Sequence, residues 1–154
     1  SSDLPVFEIK DWWAHHPLHP DRAVVRGVSL SVGRGEIVGI AGLMGAGRTE
    51  LAMSVFGRSW GKRVRGTALM NGREVDVSTV QKATRAGLAY VTEDRKSLGL
   101  ILHDSIAHNT TLATLEKVSR HGVIDEGREF TVANDYRRLL ATRCAGVHQA
   151  VVNL

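Results

Sequence analysis

The chain has 154 residues, 43% of them apolar, with 20 basic and 16 acidic side chains and a formal charge of +4; this supplies one core and fits one domain or part of one. The basic residues alternate with acids and form no stripe among stacking aromatics, which excludes nucleic acid as the expected partner. One cysteine, Cys144, excludes an internal disulfide and suits a reducing compartment, and with no signal peptide and no run of membrane-spanning length any membrane association is expected to be peripheral.

Residues 1 to 5 are expected to be a frayed start. From Val6 to Trp12 apolar and polar side chains alternate, which predicts a half-buried strand. The stretch His15-His-Pro-Leu-His-Pro20 reads as a loop. Its histidines have no Cys, Asp or Glu at ligand spacing and its prolines break a regular scaffold, so a metal site is not expected there. Ala23 to Val32 predicts a second strand, and Gly33-Arg-Gly35 a turn into a third, Ile37 to Ala41.

The glycine-rich stretch Gly42-Leu-Met-Gly-Ala-Gly-Arg-Thr49 then fits the phosphate-loop pattern at every defined position except one: Arg48 stands where lysine is expected. A β-capable run ends at this loop, and Leu51, Ala52, Val55 and Phe56 after it share one helical face, with Gly57 as the stop. Glycines let such a loop curl with its N–H groups inward, and the helix behind it adds the positive end of its dipole. Thr49 is placed to offer its hydroxyl to magnesium.

Gly61 to Gly66 reads as a basic connector, and Thr67 to Gly72 as a strand ending in an Asn-Gly turn. Ser78-Thr-Val-Gln81 has the form of a capping box for a helix that stops at Gly87, and Leu88 to Thr92 is a short buried strand before the charged run Glu93-Asp-Arg-Lys96. Beyond Asp104 strand signals nearly vanish. Asp104 is expected to cap a helix to about Leu115, and Asp125 another from Glu126 to about Cys144, with Phe130, Ala133, Tyr136, Leu140 and Arg143 on one face.

This order of parts resembles the ATP-binding cassette of transporters. Gly39-Ile-Ala-Gly-Leu-Met-Gly-Ala-Gly-Arg-Thr-Glu-Leu51 and Thr92-Glu-Asp-Arg-Lys-Ser-Leu-Gly-Leu100 are similar to the second cassette of bacterial monosaccharide importers, in which two cassettes are fused. Phe56-Gly-Arg58, Asn71 to Gln81 and Val123 to Glu129 point to the xylose or multiple-sugar branch.

The resemblance implies an α/β P-loop NTPase core with an antiparallel β subdomain and a C-terminal helical subdomain, cut before the signature motif. Residues 1–100 would be the β-rich nucleotide-binding part and core, and 101–154 the helical subdomain. It implies Mg2+ and ATP as cofactors, held by Gly42, Leu43, Met44, Gly45, Ala46, Gly47, Arg48, Thr49 and Glu50. Adenine would stack at His15 or His16, His15 being the closer match, with Trp12 and Trp13 as competitors; strand alternation should bury one tryptophan and expose the other.

Thr49 and Glu93 would meet the metal, Glu93 standing where the family usually has glutamine; the alternative for Glu93 is a surface ion pair with Arg95 or Lys96 in a solvated charge run. Gly99 would be a pivot. No catalytic residue is assigned: the signature, catalytic glutamate and switch histidine are expected outside this chain, which is not expected to complete hydrolysis unaided. The implied partners are membrane permease subunits, the other cassette and, indirectly, a periplasmic sugar-binding protein, at the cytoplasmic face of the bacterial inner membrane.

Arg48 should hold phosphate by charge while placing a γ-phosphate less well than a compact ammonium; in the family the chain resembles, this arginine goes with a second site regarded as degenerate. Glu50 suits a first helical turn on dipole grounds, although beside a triphosphate it repels. Two other functions stay open: an assembly module that holds no nucleotide, and a small-molecule kinase, for which a loop lysine and an acceptor base are lacking. Strand edges and apolar surface around Ile37–Ala41 and Leu88–Thr92 are expected to drive either self-association or poor solubility.

Overall fold

The computed structural model describes residues 4–154, so most of the frayed start expected at residues 1 to 5 lies outside the described residues. The chain forms two compact units, the first ending at Tyr90 and the second running from Val91 to Leu154. The expected division after Leu100 falls inside the second unit.

The first unit is built on a four-stranded antiparallel sheet. Its strands are β1 (Phe7–His15), β2 (Ala23–Val32), β3 (Lys62–Met70) and β4 (Arg73–Glu74), in the order β2-β1-β3-β4. Two helices accompany it, α1 (Arg48–Val55) and α2 (Val80–Arg85). The alternation that predicts β1 puts Ile9 and Trp12 in the core, while Trp13 stays partly exposed beneath the Arg65 guanidinium, 4.6 Å from its ring centre. Trp12 ties sheet to helix: its Nε1 donates to Ser54 Oγ at 3.0 Å, and that hydroxyl donates to Leu51 O at 2.8 Å. A buried indole N–H needs such a partner. Around this tie pack Ala14, Val25, Leu51, Val55, Ala68, Val77 and Ala83.

The basic stretch read as a connector is strand instead, because β3 begins at Lys62. Its charges obscure the pattern, and its path depends on Gly66 at φ 127°, where a Cβ would stand 2.8 Å from the Asp11 carbonyl oxygen and the Trp12 Cα. Glycine there lets β3 cross the irregular part of β1, where the β1–β3 register shifts between Lys10 and Trp13 and Asp11 takes φ 47°. Asn71 and Gly72, at φ 50° and 75°, form the expected two-residue turn into β4. Thr79 rather than Ser78 caps α2, its hydroxyl accepting from the Lys82 N–H at 3.2 Å, while Ser78 Oγ takes the Lys82 ammonium.

Two expected strands are not formed. Ile37–Ala41 and Leu88–Thr92 have no ladder partner among the described residues, and Ile37 is 97% exposed. A strand is a shared hydrogen-bonding arrangement, and an apolar run without a neighbour cannot make one alone.

The second unit holds α3 (Ile106–Thr111), a small hairpin of β5 (Ser119–Arg120) and β6 (Val123–Ile124), and α4 (Glu126–Leu139). A single π turn spans Arg95–Gly99, and 3-10 turns cover Leu112–Lys117 and Val151–Asn153. Ser105, not Asp104, caps α3 by accepting from the His108 N–H at 3.0 Å. The helix expected to reach Leu115 leaves α-geometry after Thr111 and kinks at Thr114. The hairpin, turning on His121 and Gly122 at φ 49° and 82°, is too short to leave a sequence period.

Asp125 caps α4 as expected, but the helix ends at Leu139, short of Cys144. Of its expected apolar face only Ala133 is buried; Phe130, Tyr136 and Leu140 are exposed. Glu129 is buried instead, 4% exposed, because it is paired: Thr111 Oγ1 donates to Oε1 at 2.6 Å, and His108 Nε2 lies 3.5 Å from Oε2. His108 Nδ1 in turn meets Asp104 Oδ1 at 2.6 Å. The Asp104 carboxyl is held below the usual carboxylate range, first by the Ser105 N–H and then by His108. Ile106, Ala107, Ala133, Val147 and Val151 complete this core.

Candidate phosphate-binding site

The loop between β2 and α1 is shaped by its own backbone. The Ala46 N–H donates to Leu43 O at 3.0 Å and closes a tight turn whose tip carries the exposed side chains of Leu43 and Met44. Gly45 and Gly47 take φ 78° and 85°, left-handed values that favour glycine. Gly47 sits at the cap of α1 with no side-chain hydrogen bond there, and the Leu51 N–H returns to Gly47 O at 2.8 Å. Helices leave their first N–H groups without intrahelical acceptors, and this one presents them beside a curled glycine loop.

At Gly42 a Cβ would lie 3.0 Å from the Ala46 Cβ and 3.6 Å from Arg48 Cδ. The stem of Arg48 therefore runs back across the start of the loop, and its head is exposed. Thr49 and Glu50 follow in the first turn of α1, both half-buried. The hollow and its positive helix end fit a polyphosphate, and the Thr49 hydroxyl is of the oxygen-donor type that magnesium takes.

Against Gly47 lies the start of β2, whose Val24 Cγ1 would be 3.4 Å from a Cβ at that glycine. A cleft of about 190 Å3 opens here, lined by Val24, Arg26, Ala46, Gly47, Arg48 and Leu51 among others. No motif singles out Arg26; it enters the site because β2 folds past the loop. Leu51, Val55 and Phe56 also contribute to an apolar groove of about 220 Å3 with Phe7, Leu30 and Leu88.

His15 closes β1, paired in register with Ala23, one residue from Val24. It is half-buried, and its Nδ1 is buried without a hydrogen-bond partner. His16 is committed to its loop: its Nδ1 accepts the N–H groups of Leu18 and His19, both at 3.2 Å, and its ring stacks on His19 at 5.1 Å. Thus the loop residues 42–50 are brought together by contiguity, while His15, at the end of β1, does not line the cleft at the loop. Glu93 belongs to the second unit, where it is exposed ahead of the π turn. Among the described residues no helix is long and apolar enough to cross a membrane.

The chain is 51% identical over 146 residues to an L-arabinose transport ATP-binding protein of Geobacillus stearothermophilus, which covers 95% of this chain and 28% of the relative. It is 36% identical over 149 residues to a xylose import ATP-binding protein of Thermoanaerobacter pseudethanolicus, covering 97% and 29% respectively. The chain thus spans under a third of the length of these curated relatives. Among solved structures, a bacterial Atm1-family ABC exporter with ATP bound matches 98% of this chain and 24% of its own, with a TM-score of 0.60 at 24% identity. That likeness shows the ABC ATPase fold. A family model described as ABC transporter matches residues 25–143. With a match that begins inside β2, takes in the glycine loop and runs past the end of α4, the chain belongs to the ABC transporter family.

Proposed function

We propose that this chain is the ATP-binding portion of the energising subunit of a bacterial monosaccharide importer. The observation that carries the reading is the glycine loop: left-handed Gly45 and Gly47 ahead of a helix head without a side-chain cap, the arrangement that receives phosphate oxygens on backbone N–H groups. The arabinose and xylose transport named for its relatives supports a pentose or a related monosaccharide as cargo.

In this reading Gly42 to Glu50 surround the phosphates and Thr49 gives its hydroxyl to Mg2+. Adenine stacks at His15, a half-buried ring at the end of β1, and support for that role is the family resemblance. For Glu93, support for a metal role is the family resemblance alone. Bound ATP supplies the phosphoanhydride whose cleavage powers transport, and this chain's residues bind and orient it. Arg48 supports reading the site as a second, degenerate cassette that holds nucleotide more readily than it turns it over, since a planar guanidinium places a γ-phosphate less well than a compact ammonium. The partners are permease subunits, the other cassette and, through the permease, a sugar-binding protein, with the protein peripheral to the cytoplasmic face of the inner membrane.

Calorimetric titration of Mg-ATP and ADP into the wild-type chain and Arg48→Ala tests the binding claim. Saturable binding that weakens by roughly tenfold in the variant is expected from the loss of a charge-assisted contact. Absence of saturable binding by the wild type would overturn the reading in favour of an assembly module.

A further inference from the structure

Two arginines line the cleft beside the glycine loop, Arg26 from β2 and Arg48 from the head of α1. Neither forms an ion pair among the described residues. Arg26 Nε donates to the Ala23 carbonyl at 2.9 Å. That anchor steadies the guanidinium and leaves its terminal nitrogens as a preset fork for an oxyanion. Much of the remaining wall is apolar, with Val24, Val25, Val28, Ile40 and Leu51. Glu50, the acid next to the loop in sequence, does not line it.

Two like charges at one cleft with low-dielectric walls reinforce each other's potential and repel each other until an anion arrives. The chemistry of the lining narrows the anion. With two guanidinium groups at its wall, the cleft suits the phosphate chain of a nucleotide better than its uncharged base.

We infer that Arg26 is a second phosphate-binding residue, which shares the nucleotide's phosphate chain with Arg48. This rests on the nucleotide-binding reading above and extends it to a residue outside the motif. It also gives the arginine at position 48 a physical setting, with two exposed guanidinium forks dividing the charge that one compact ammonium would concentrate.

The test is a titration of Mg-ATP, Mg-ADP and AMP into wild type, Arg26→Gln and Arg26→Lys, with thermal melts of each. Arg26→Gln should bind ATP about tenfold more weakly, ADP less affected and AMP least, with an unchanged melt because Arg26 is exposed. Arg26→Lys should recover part of the ATP affinity. An Arg26→Gln chain that binds ATP like wild type, or one that loses all three nucleotides equally, overturns the inference. If wild type binds ATP and only Arg48→Ala weakens it, Arg26 has no share while the nucleotide reading stands. A wild type that takes up no nucleotide overturns both.

Discussion

Ile9, in an alternating stretch, and Ile37, in a short apolar run, both sit in β-capable segments of the first unit, and one is 1% exposed while the other is 97% exposed. The difference is in their neighbours. Ile9 pairs with Leu30 of β2 on one side and Ala68 of β3 on the other, so its backbone is satisfied in two ladders and its side chain is pressed into the core. The run from Ile37 to Ala41 has no ladder among the described residues. Apolar composition makes a segment able to be a strand; only a partner makes it one.

The largest test of this contrast is Ile9→Asp. A carboxylate at that position would be buried without a partner among Trp12, Val25 and Leu51, and such burial costs several kcal/mol against a total stability of about 5–15 kcal/mol. Loss of the cooperative tryptophan-fluorescence transition in urea is the expected result. A transition within about 1 kcal/mol of wild type would mean that the site relaxes or admits water, and that the ladder does not fix the side chain inward.

The same contrast separates what the sequence makes legible from what it does not. Ala23–Val32 is read and found as a strand because its polar and apolar residues alternate and its partner is the adjacent β1. The Asn71-Gly72 turn is legible because few dipeptides take two successive positive φ values without strain. The glycine loop carries its geometry in residue identity alone. β3 is missed at its start, where Lys62, Arg63 and Arg65 look like solvent-facing linker and the pairing with β1 is visible only in three dimensions. Glu129 is missed because a glutamate reads as surface, and its burial depends on Thr111, eighteen residues away in sequence. Arg26 belongs with these: nothing near it in sequence marks a ligand, and the fold carries it to the loop. Local chemistry, in short turns and caps, is readable to within a residue, as the shift from Ser78 to Thr79 shows.

A smaller effect is expected where the first unit relies on surface charge. Asp76 lies 2.6 Å from the Lys82 ammonium and accepts the Ser78 N–H at 2.8 Å. Its carboxyl is held well below the ordinary carboxylate range, first by the Lys82 hydrogen bond and then by those from Ser78. The folded state therefore favours the ionised form. The resulting stability is present above the unfolded carboxyl pKa, about 3.9, and is lost as pH falls from there through the lower folded value. Urea midpoints measured from neutral to acid pH should show Asp76→Asn below wild type near neutrality, with the two curves converging in acid. Parallel curves at all pH values would show that the ion pair contributes nothing, as exposed pairs often do.

Ile37→Asp should have the smallest effect on folding and therefore tests the contrast from its other end. The side chain is almost fully exposed and outside any ladder among the described residues, so a charge there meets water, and the unfolding free energy from urea titration should stay within about 0.5 kcal/mol of wild type. Association is where the change should register. Ile37, Leu43 and Met44 are all exposed along one stretch of chain, and apolar surface of this kind drives contact between copies. Light scattering should find wild type self-associating with rising concentration, and the Ile37→Asp variant doing so less. A variant that unfolds as readily as Ile9→Asp would mean that Ile37 packs in solution. A wild type that stays monomeric throughout would mean that the exposed run is protected without a partner strand, and that exposure alone does not make this segment adhesive.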